Sequence, residues 1–303
     1  MAIRWTQSYR SLMNLLLTKQ IVSIIILVTF VIVTCLFVRH SNLVERHLIF
    51  FPKDDISTHN VTLENPKKFG LKLEDVYFQT SDNLILHGWY IPGVNELTLL
   101  WFHGNAGNIG NRVANIKELH QNLGANIFIF DYRGYGRSQG TPSEEGTYVD
   151  GDAAIAYLSS RSDNNPSKII FFGRSLGAAV ATEMAIRNKP YALILESGFP
   201  SIQAMANQAY PFIPGIGYLT NIFSKTKYDT IDKLRKITSP VMIIHGDRDT
   251  IVPYEFGLEL YKVANSPKSF YTVKGGDHNN TYRVGGKEYY DAIVEFLSDS
   301  RTP

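Results

Sequence analysis

The chain has 303 residues, 44% hydrophobic and 19% charged, which is enough apolar material for a large core and excludes global disorder. Its formal net charge of +2 divides unevenly: residues 1–50 hold five Lys/Arg and one Glu (net +4), and the other 253 residues hold 25 basic against 27 acidic side chains (net −2). A body that close to neutral carries no electrostatic footprint for nucleic acid, and a single cysteine, Cys35, excludes a disulfide framework and a cysteine-based metal site.

In chain order, residues 1–20 form a polar-to-basic tail, and Ile21 to Val38 is an 18-residue run without a formal charge. At about 1.5 Å per residue such a helix spans roughly 27 Å, close to the hydrocarbon thickness of a bilayer. The run is long for a signal-peptide core, and Arg39-His40-Ser41-Asn42 follows it where a small-residue cleavage site would stand, so 21–38 is expected to be an uncleaved single-pass anchor. Arg4, Arg10 and Lys19 on one side against Arg39 and Arg46 on the other favour a cytoplasmic amino terminus and a body on the non-cytoplasmic side. Residues 39–69 connect the anchor to the body. Asn60-Val61-Thr62 and Asn279-Asn280-Thr281 are glycosylation sequons, meaningful only in a secretory compartment.

The body, residues 70–300, alternates apolar runs with helical periods. Leu73–Thr80 and Leu84–Ile91 read as strands joined by the turn-forming Ser81-Asp82-Asn83, and Leu97–Phe102 as a short third strand. Asn111–Leu123 has apolar residues at Val113, Ile116, Leu119 and Leu123, a helical spacing, before a fourth strand over Ile127–Phe130. Ser143 caps a helix running to Ser160, and Ile169–Phe172 is the fifth strand. Ala192–Leu195, Val241–Ile244 and Ser269–Val273 are the sixth to eighth, with helices over Tyr254–Ala264 and Lys287–Leu297. Between the sixth and seventh strands, residues 198–227 lose regular patterning: they are apolar and aromatic and are broken by Pro200, Pro211 and Pro214. Strands alternating with helices imply a mostly parallel eight-stranded sheet with helices on both faces, an α/β fold.

Chemistry-bearing residues of such a sheet collect in loops at the carboxyl ends of strands. Four motifs stand there: His103-Gly104-Asn105-Ala106-Gly107, Gly173-Arg174-Ser175-Leu176-Gly177, His245-Gly246-Asp247-Arg248-Asp249 and Gly275-Gly276-Asp277-His278. The second is Gly-x-Ser-x-Gly between a strand and a helix, a sharp turn that lifts the serine hydroxyl above the sheet at a helix N-terminus. A serine needs a base and an oriented partner to act as a nucleophile at neutral pH. The chain order Ser175, Asp249, His278 is nucleophile, acid, histidine. Asp247 competes with Asp249 in the same loop, Glu196 at the end of the sixth strand is a further candidate acid, and Asp277 is expected to point away.

Together with Asp131-Tyr132-Arg133-Gly134-Tyr135-Gly136, these motifs make the chain resemble the α/β-hydrolase superfamily over residues 70–300, and in particular its membrane-anchored branch, some members of which act as acyl-protein thioesterases. The apolar run followed by Leu48-Ile49-Phe50-Phe51-Pro52 is similar to that branch as well. The resemblance implies a Ser175–His278–Asp249 triad and an oxyanion hole from the backbone N–H groups of Leu176 and Asn105, with Ala106 next in line. It implies a serine hydrolase cleaving carboxylic esters or thioesters, with no metal or organic cofactor. It makes 198–227 a lid, expected to line a pocket for a hydrophobic acyl group with Phe212 and Phe223 among its walls. A peptidase or amidase would use the same triad, and a non-catalytic binding protein could keep the fold; a haloalkane-type dehalogenase would need Asp at position 175.

Overall fold

The computed structural model describes residues 2–41, 48–53 and 70–300. The Asn60 sequon, Arg46 and most of the connecting segment lie outside the described residues. Eight strands form one sheet: β1 (Glu74–Gln79), β2 (Ile85–Ile91), β3 (Thr98–Phe102), β4 (Asn126–Phe130), β5 (Ile169–Arg174), β6 (Ala192–Glu196), β7 (Val241–Gly246) and β8 (Lys268–Val273). Their order is β1-β2-β4-β3-β5-β6-β7-β8, with only β2 antiparallel to its neighbours.

Strands buried on both faces read as unbroken apolar runs, because alternate side chains enter different cores. Leu100, Phe102, Phe128, Phe130, Phe171, Leu193 and Ile243 face one core. It is completed by α3 (Glu144–Ser160), α4 (Leu176–Arg187), α7 (Thr230–Leu234) and α8 (Tyr254–Val263). Leu99, Trp101, Ile127, Ile129, Ile170, Phe172 and Ile244 face the other, closed by α2 (Val113–Leu123) and α9 (Thr281–Asp299). Each fully buried large side chain contributes about 1.5–3 kcal/mol. Capping chemistry sets the helix ends: Ser143 Oγ accepts from the Gly146 N–H at 3.0 Å, and α2 stops at Gly124 in the left-handed region (φ +62°).

Three elements differ from the sequence reading. Asn111 and Arg112, expected to open α2, belong instead to a separate 3-10 turn, Ile109–Arg112, capped by the Asn108 side chain. The closing helix begins at Thr281, six residues before Lys287, and is broken at Gly286 (φ +51°, ψ −140°), which hid its first turn. Residues 198–227 are not irregular throughout: they contain α5 (Ile202–Ala209) and α6 (Ile216–Phe223), and Pro211 and Pro214 fall in the connector between them.

The amino-terminal helix α1 (Ala2–Ser41) is longer than the uncharged run. The stretch apolar enough to cross a membrane is Leu12–Thr34, 23 residues, beginning before the expected 21–38 because a lone Lys19 does not interrupt a helix. At about 1.5 Å per residue it is roughly 35 Å long. Helix α1 touches α6, and Phe51–Pro52 pairs in parallel with Ala106–Gly107.

Candidate active site

Ser175 stands between β5 and α4 with φ +54° and ψ −121°, a conformation that costs a non-glycine residue about 1–3 kcal/mol. Close packing holds it there. A Cβ on Gly177 would come within 1.9 Å of the Phe102 carbonyl oxygen, and one on Gly173 within 2.4 Å of the Gly177 carbonyl oxygen. The glycines of Gly-x-Ser-x-Gly are therefore required by the crossing of elbow and β3, not only by the turn. The Ser175 N–H donates to the Glu196 carbonyl at 2.9 Å, continuing the β5–β6 ladder into the turn.

Asp249 and His278 meet from two different strand ends. His278 Nδ1 donates to Asp249 Oδ2 at 2.8 Å, while Asp249 Oδ1 accepts from the Ile251 and Val252 N–H groups at 2.9 and 2.8 Å. Burial pushes the Asp249 carboxyl up, but hydrogen bonds from His245 and His278 outweigh it and hold the group well below the usual carboxylate range. Asp247 is occupied elsewhere, accepting from the Gly275 N–H at 2.6 Å. Asp277 accepts from the Thr250 N–H and hydroxyl, both at 2.9 Å, which turns it away from the His278 ring as expected.

Glu196, fully buried, accepts from the Thr281 hydroxyl at 2.6 Å and from the Tyr289 hydroxyl, and pairs with Arg174 Nε at 3.1 Å. It is a structural acceptor. Arg174 Nη2 in turn donates to the His278 carbonyl and to Asn279 Oδ1 at 3.3 Å. The variable residue of the elbow thus ties β5 to the histidine loop, a link the sequence did not reveal. Asn279, the second sequon, is exposed but lines the cavity described next, so a glycan there would occupy it.

Ser175, Leu176, His278 and Asn105 all line one cavity of about 760 Å³. Among the described residues no hydrogen bond reaches Ser175 Oγ; nucleophile–base contacts in unliganded hydrolases are loose and tighten when substrate binds. The Asn105 and Leu176 N–H groups have no backbone acceptor among the described residues and remain available. The Asn105 loop is fixed from behind. Its carbonyl accepts from the Phe51 N–H at 3.0 Å and the Tyr135 hydroxyl at 2.8 Å, and its side-chain amide donates to the Ile49 carbonyl at 2.9 Å.

The far wall is apolar: Ile202, Met205, Leu219 and Phe223 of the lid line the cavity. Phe212 does not. It is 76% exposed and lies outside the lining, a correction to the sequence expectation, because the Pro211–Gly215 connector turns it outward. His103, just after β3, and His245, near the end of β7, are both buried. His103 Nδ1 donates to the Gly104 carbonyl at 2.7 Å and His245 Nε2 to the Val252 carbonyl at 3.0 Å. Among the described residues no group of three or more His, Cys, Asp or Glu could hold a metal.

This sheet order, with a strained serine elbow after its fifth strand and an Asp–His pair after the seventh and eighth, defines the α/β-hydrolase class of protein. The sequence profile of the alpha/beta hydrolase fold matches residues 98–206. The alpha/beta hydrolase domain-containing protein WAV2 of Arabidopsis thaliana is 38% identical over 248 residues, covering 77% of this chain and 80% of that one. Protein bem46 of Schizosaccharomyces pombe is 34% identical over 244 residues, 78% of this chain and 80% of that one. In structure, the Pyrococcus furiosus esterase Pf2001 superposes with a TM-score of 0.66 at 23% identity, over 83% of this chain and 98% of the esterase, a likeness of fold. The chain belongs to the α/β-hydrolase family.

Proposed function

We propose that the protein is a membrane-anchored serine hydrolase that cleaves carboxylic esters or thioesters through an acyl-enzyme. The observation that carries this reading is the 2.8 Å Asp249–His278 hydrogen bond beside a cavity that Ser175 also lines. Asp249 holds His278 with its Nδ1 protonated, leaving Nε2 as the base. Ser175 Oγ attacks the carbonyl carbon as Nε2 takes its proton. The tetrahedral oxyanion is held by the Leu176 and Asn105 N–H groups, each worth roughly 3 kcal/mol in the transition state. Collapse breaks the carbonyl–oxygen or carbonyl–sulfur bond, and the alcohol or thiol leaves with the proton from His278. A water then repeats the sequence on the acyl-serine and releases the acid.

The apolar lid wall supports a hydrophobic acyl group, and the Leu12–Thr34 helix supports a single-pass anchor. Arg4, Arg10 and the amino terminus precede that span, against Arg39 and Arg46 beyond it, which favours a catalytic body on the non-cytoplasmic side. Fluorophosphonate labelling of intact and opened vesicles tests both points. Wild type is expected to label at Ser175 only where the probe reaches the non-cytoplasmic face, and Ser175→Ala not at all. Labelling of a folded Ser175→Ala protein removes Ser175 as nucleophile.

A further inference from the structure

The basic residues lining the cavity are Lys53, Arg112, Arg174 and His278; among the described residues no Asp or Glu lines it. Three of these four have a role or stand at the rim. Arg174 is balanced by Glu196, His278 by Asp249, and Lys53 is exposed.

Arg112 is different. Its Nη2 donates to the Ala106 carbonyl at 2.8 Å, but it forms no ion pair among the described residues, and its buried Nε has no hydrogen-bond partner. Burial, followed by the like charge of Arg174, pushes its guanidinium down to about 10, still protonated at neutral pH. Arg112 is half-buried, and the Asp131 and Glu196 carboxylates act on it only from a distance, so its guanidinium has no direct ion pair and is open to an anion; a planar fork suits carboxylate or phosphate oxygens. The opposite wall, under the lid, is apolar. The cavity is therefore two-sided, with a cation beside the oxyanion loop and a hydrocarbon surface beyond it.

We propose that the substrate is an amphipathic acyl ester carrying an anionic group, phosphate or carboxylate, and that Arg112 binds that group while the acyl chain lies against α5 and α6. This rests on Ser175 being the nucleophile, since it places the scissile carbonyl between the two halves of the cavity. Arg112 is then a specificity residue and takes no part in the proton transfers.

The test compares three esters of one acyl chain length: an acylglycerol phosphate, an O-acyl lactate and a neutral monoacylglycerol, with the full-length protein in detergent. Wild type is expected to prefer at least one anionic ester over the neutral one by tenfold or more in kcat/KM, and the better of the two anions identifies the group. Arg112→Gln, which can still donate to the Ala106 carbonyl, is expected to bring that ratio toward one by raising KM for the anionic ester; Arg112→Lys keeps part of it. Absence of a preference in wild type overturns the proposal, as does Arg112→Gln slowing all three esters by the same factor. Binding of an alkyl phosphate and the matching alcohol to Ser175→Ala, with and without Arg112→Gln, reads the site without catalysis. Loss of fluorophosphonate labelling at Ser175 with phosphate binding intact would fault the hydrolase reading alone, and equal phosphate affinity in both proteins would fault Arg112 alone.

Discussion

The Phe51 N–H donates to the Asn105 carbonyl at 3.0 Å, so the Ile49–Pro52 segment is hydrogen-bonded to the loop that lines the same cavity as Ser175. Phe51 and Pro52 run parallel to Ala106 and Gly107, and Asn105 reaches across 56 positions of sequence to the Ile49 carbonyl. The loop is thus set by the Ile49–Pro52 segment as well as by its own strand. Preorganised donors are effective because they need no rearrangement as charge develops.

Asn105→Ala cuts the tie to Ile49 without removing the backbone donor. A side-chain hydrogen bond is worth about 0.5–1.5 kcal/mol, so stability should fall by about that much. Catalysis should suffer through the transition state: kcat is expected to drop about tenfold with KM within twofold. Steady-state kinetics on one ester checks this, and a change confined to KM would mean that the loop binds substrate rather than the oxyanion.

Asp249→Asn should lower kcat by about 10⁴-fold, because an amide donates where the carboxylate accepted and favours the wrong imidazole tautomer. Asp247→Asn keeps an amide oxygen that can accept from the Gly275 N–H and is expected to cost less than tenfold. The pair of variants decides between two carboxylates that the sequence alone left as rivals.

Gly177→Ala should prevent normal folding of the elbow. The added Cβ would lie 1.9 Å from a backbone oxygen of β3, where no side-chain rotation relieves it. Overpacking of this kind costs about 3 kcal/mol or more, or roughly 10 °C in melting temperature for a domain of this size. A thermal shift in detergent measures it, and a drop below about 2 °C would show that the elbow has room.

The sheet was readable from sequence because each parallel strand is a short apolar run, and the serine elbow because its glycines are local. What escaped were contacts between distant segments. Nothing about Phe51 or Arg174 as residues shows that one will pair with the Asn105 loop and the other will hold the His278 carbonyl. Gly285-Gly286 concealed the start of α9, since glycine reads as a break wherever tertiary packing does not override it. Phe212 and Phe223 were equal candidates for the acyl wall, because aromatic character says nothing of which way a proline-bounded connector faces.

Phe223→Ala widens the cavity wall and should shift the preferred acyl chain to longer or bulkier groups. One pocket methylene changes discrimination by about 1–3 kcal/mol, so the ratio of kcat/KM between neighbouring chain lengths should move about tenfold. Phe212→Ala, outside the lining, should leave that ratio unchanged. A chain-length series of aryl esters reads both, and an unchanged profile in Phe223→Ala with intact folding would count against an acyl pocket under the lid.

Acid should destabilise the protein from below pH 6.5 onward. Burial, then the nearby Arg112 charge, holds His103 down to about 3, although its bond to the Gly104 carbonyl works the other way. In an unfolded chain the same imidazole titrates near 6.5. Between those values the unfolded state binds a proton that the folded state refuses, so stability rises with pH and falls as pH drops, by about 1.4 kcal/mol per unit for one such group. Asp150 acts oppositely: burial raises it to about 6, so its proton favours the folded state and its contribution weakens as pH rises from about 4 to 6. Because the two effects oppose each other, the wild-type curve alone does not isolate His103. His103→Asn removes the titrating group while leaving Asp150 in place. Between pH 6.5 and 4.5 its melting temperature should therefore fall less steeply than that of wild type, and parallel curves would show that the folded state accommodates a charged His103.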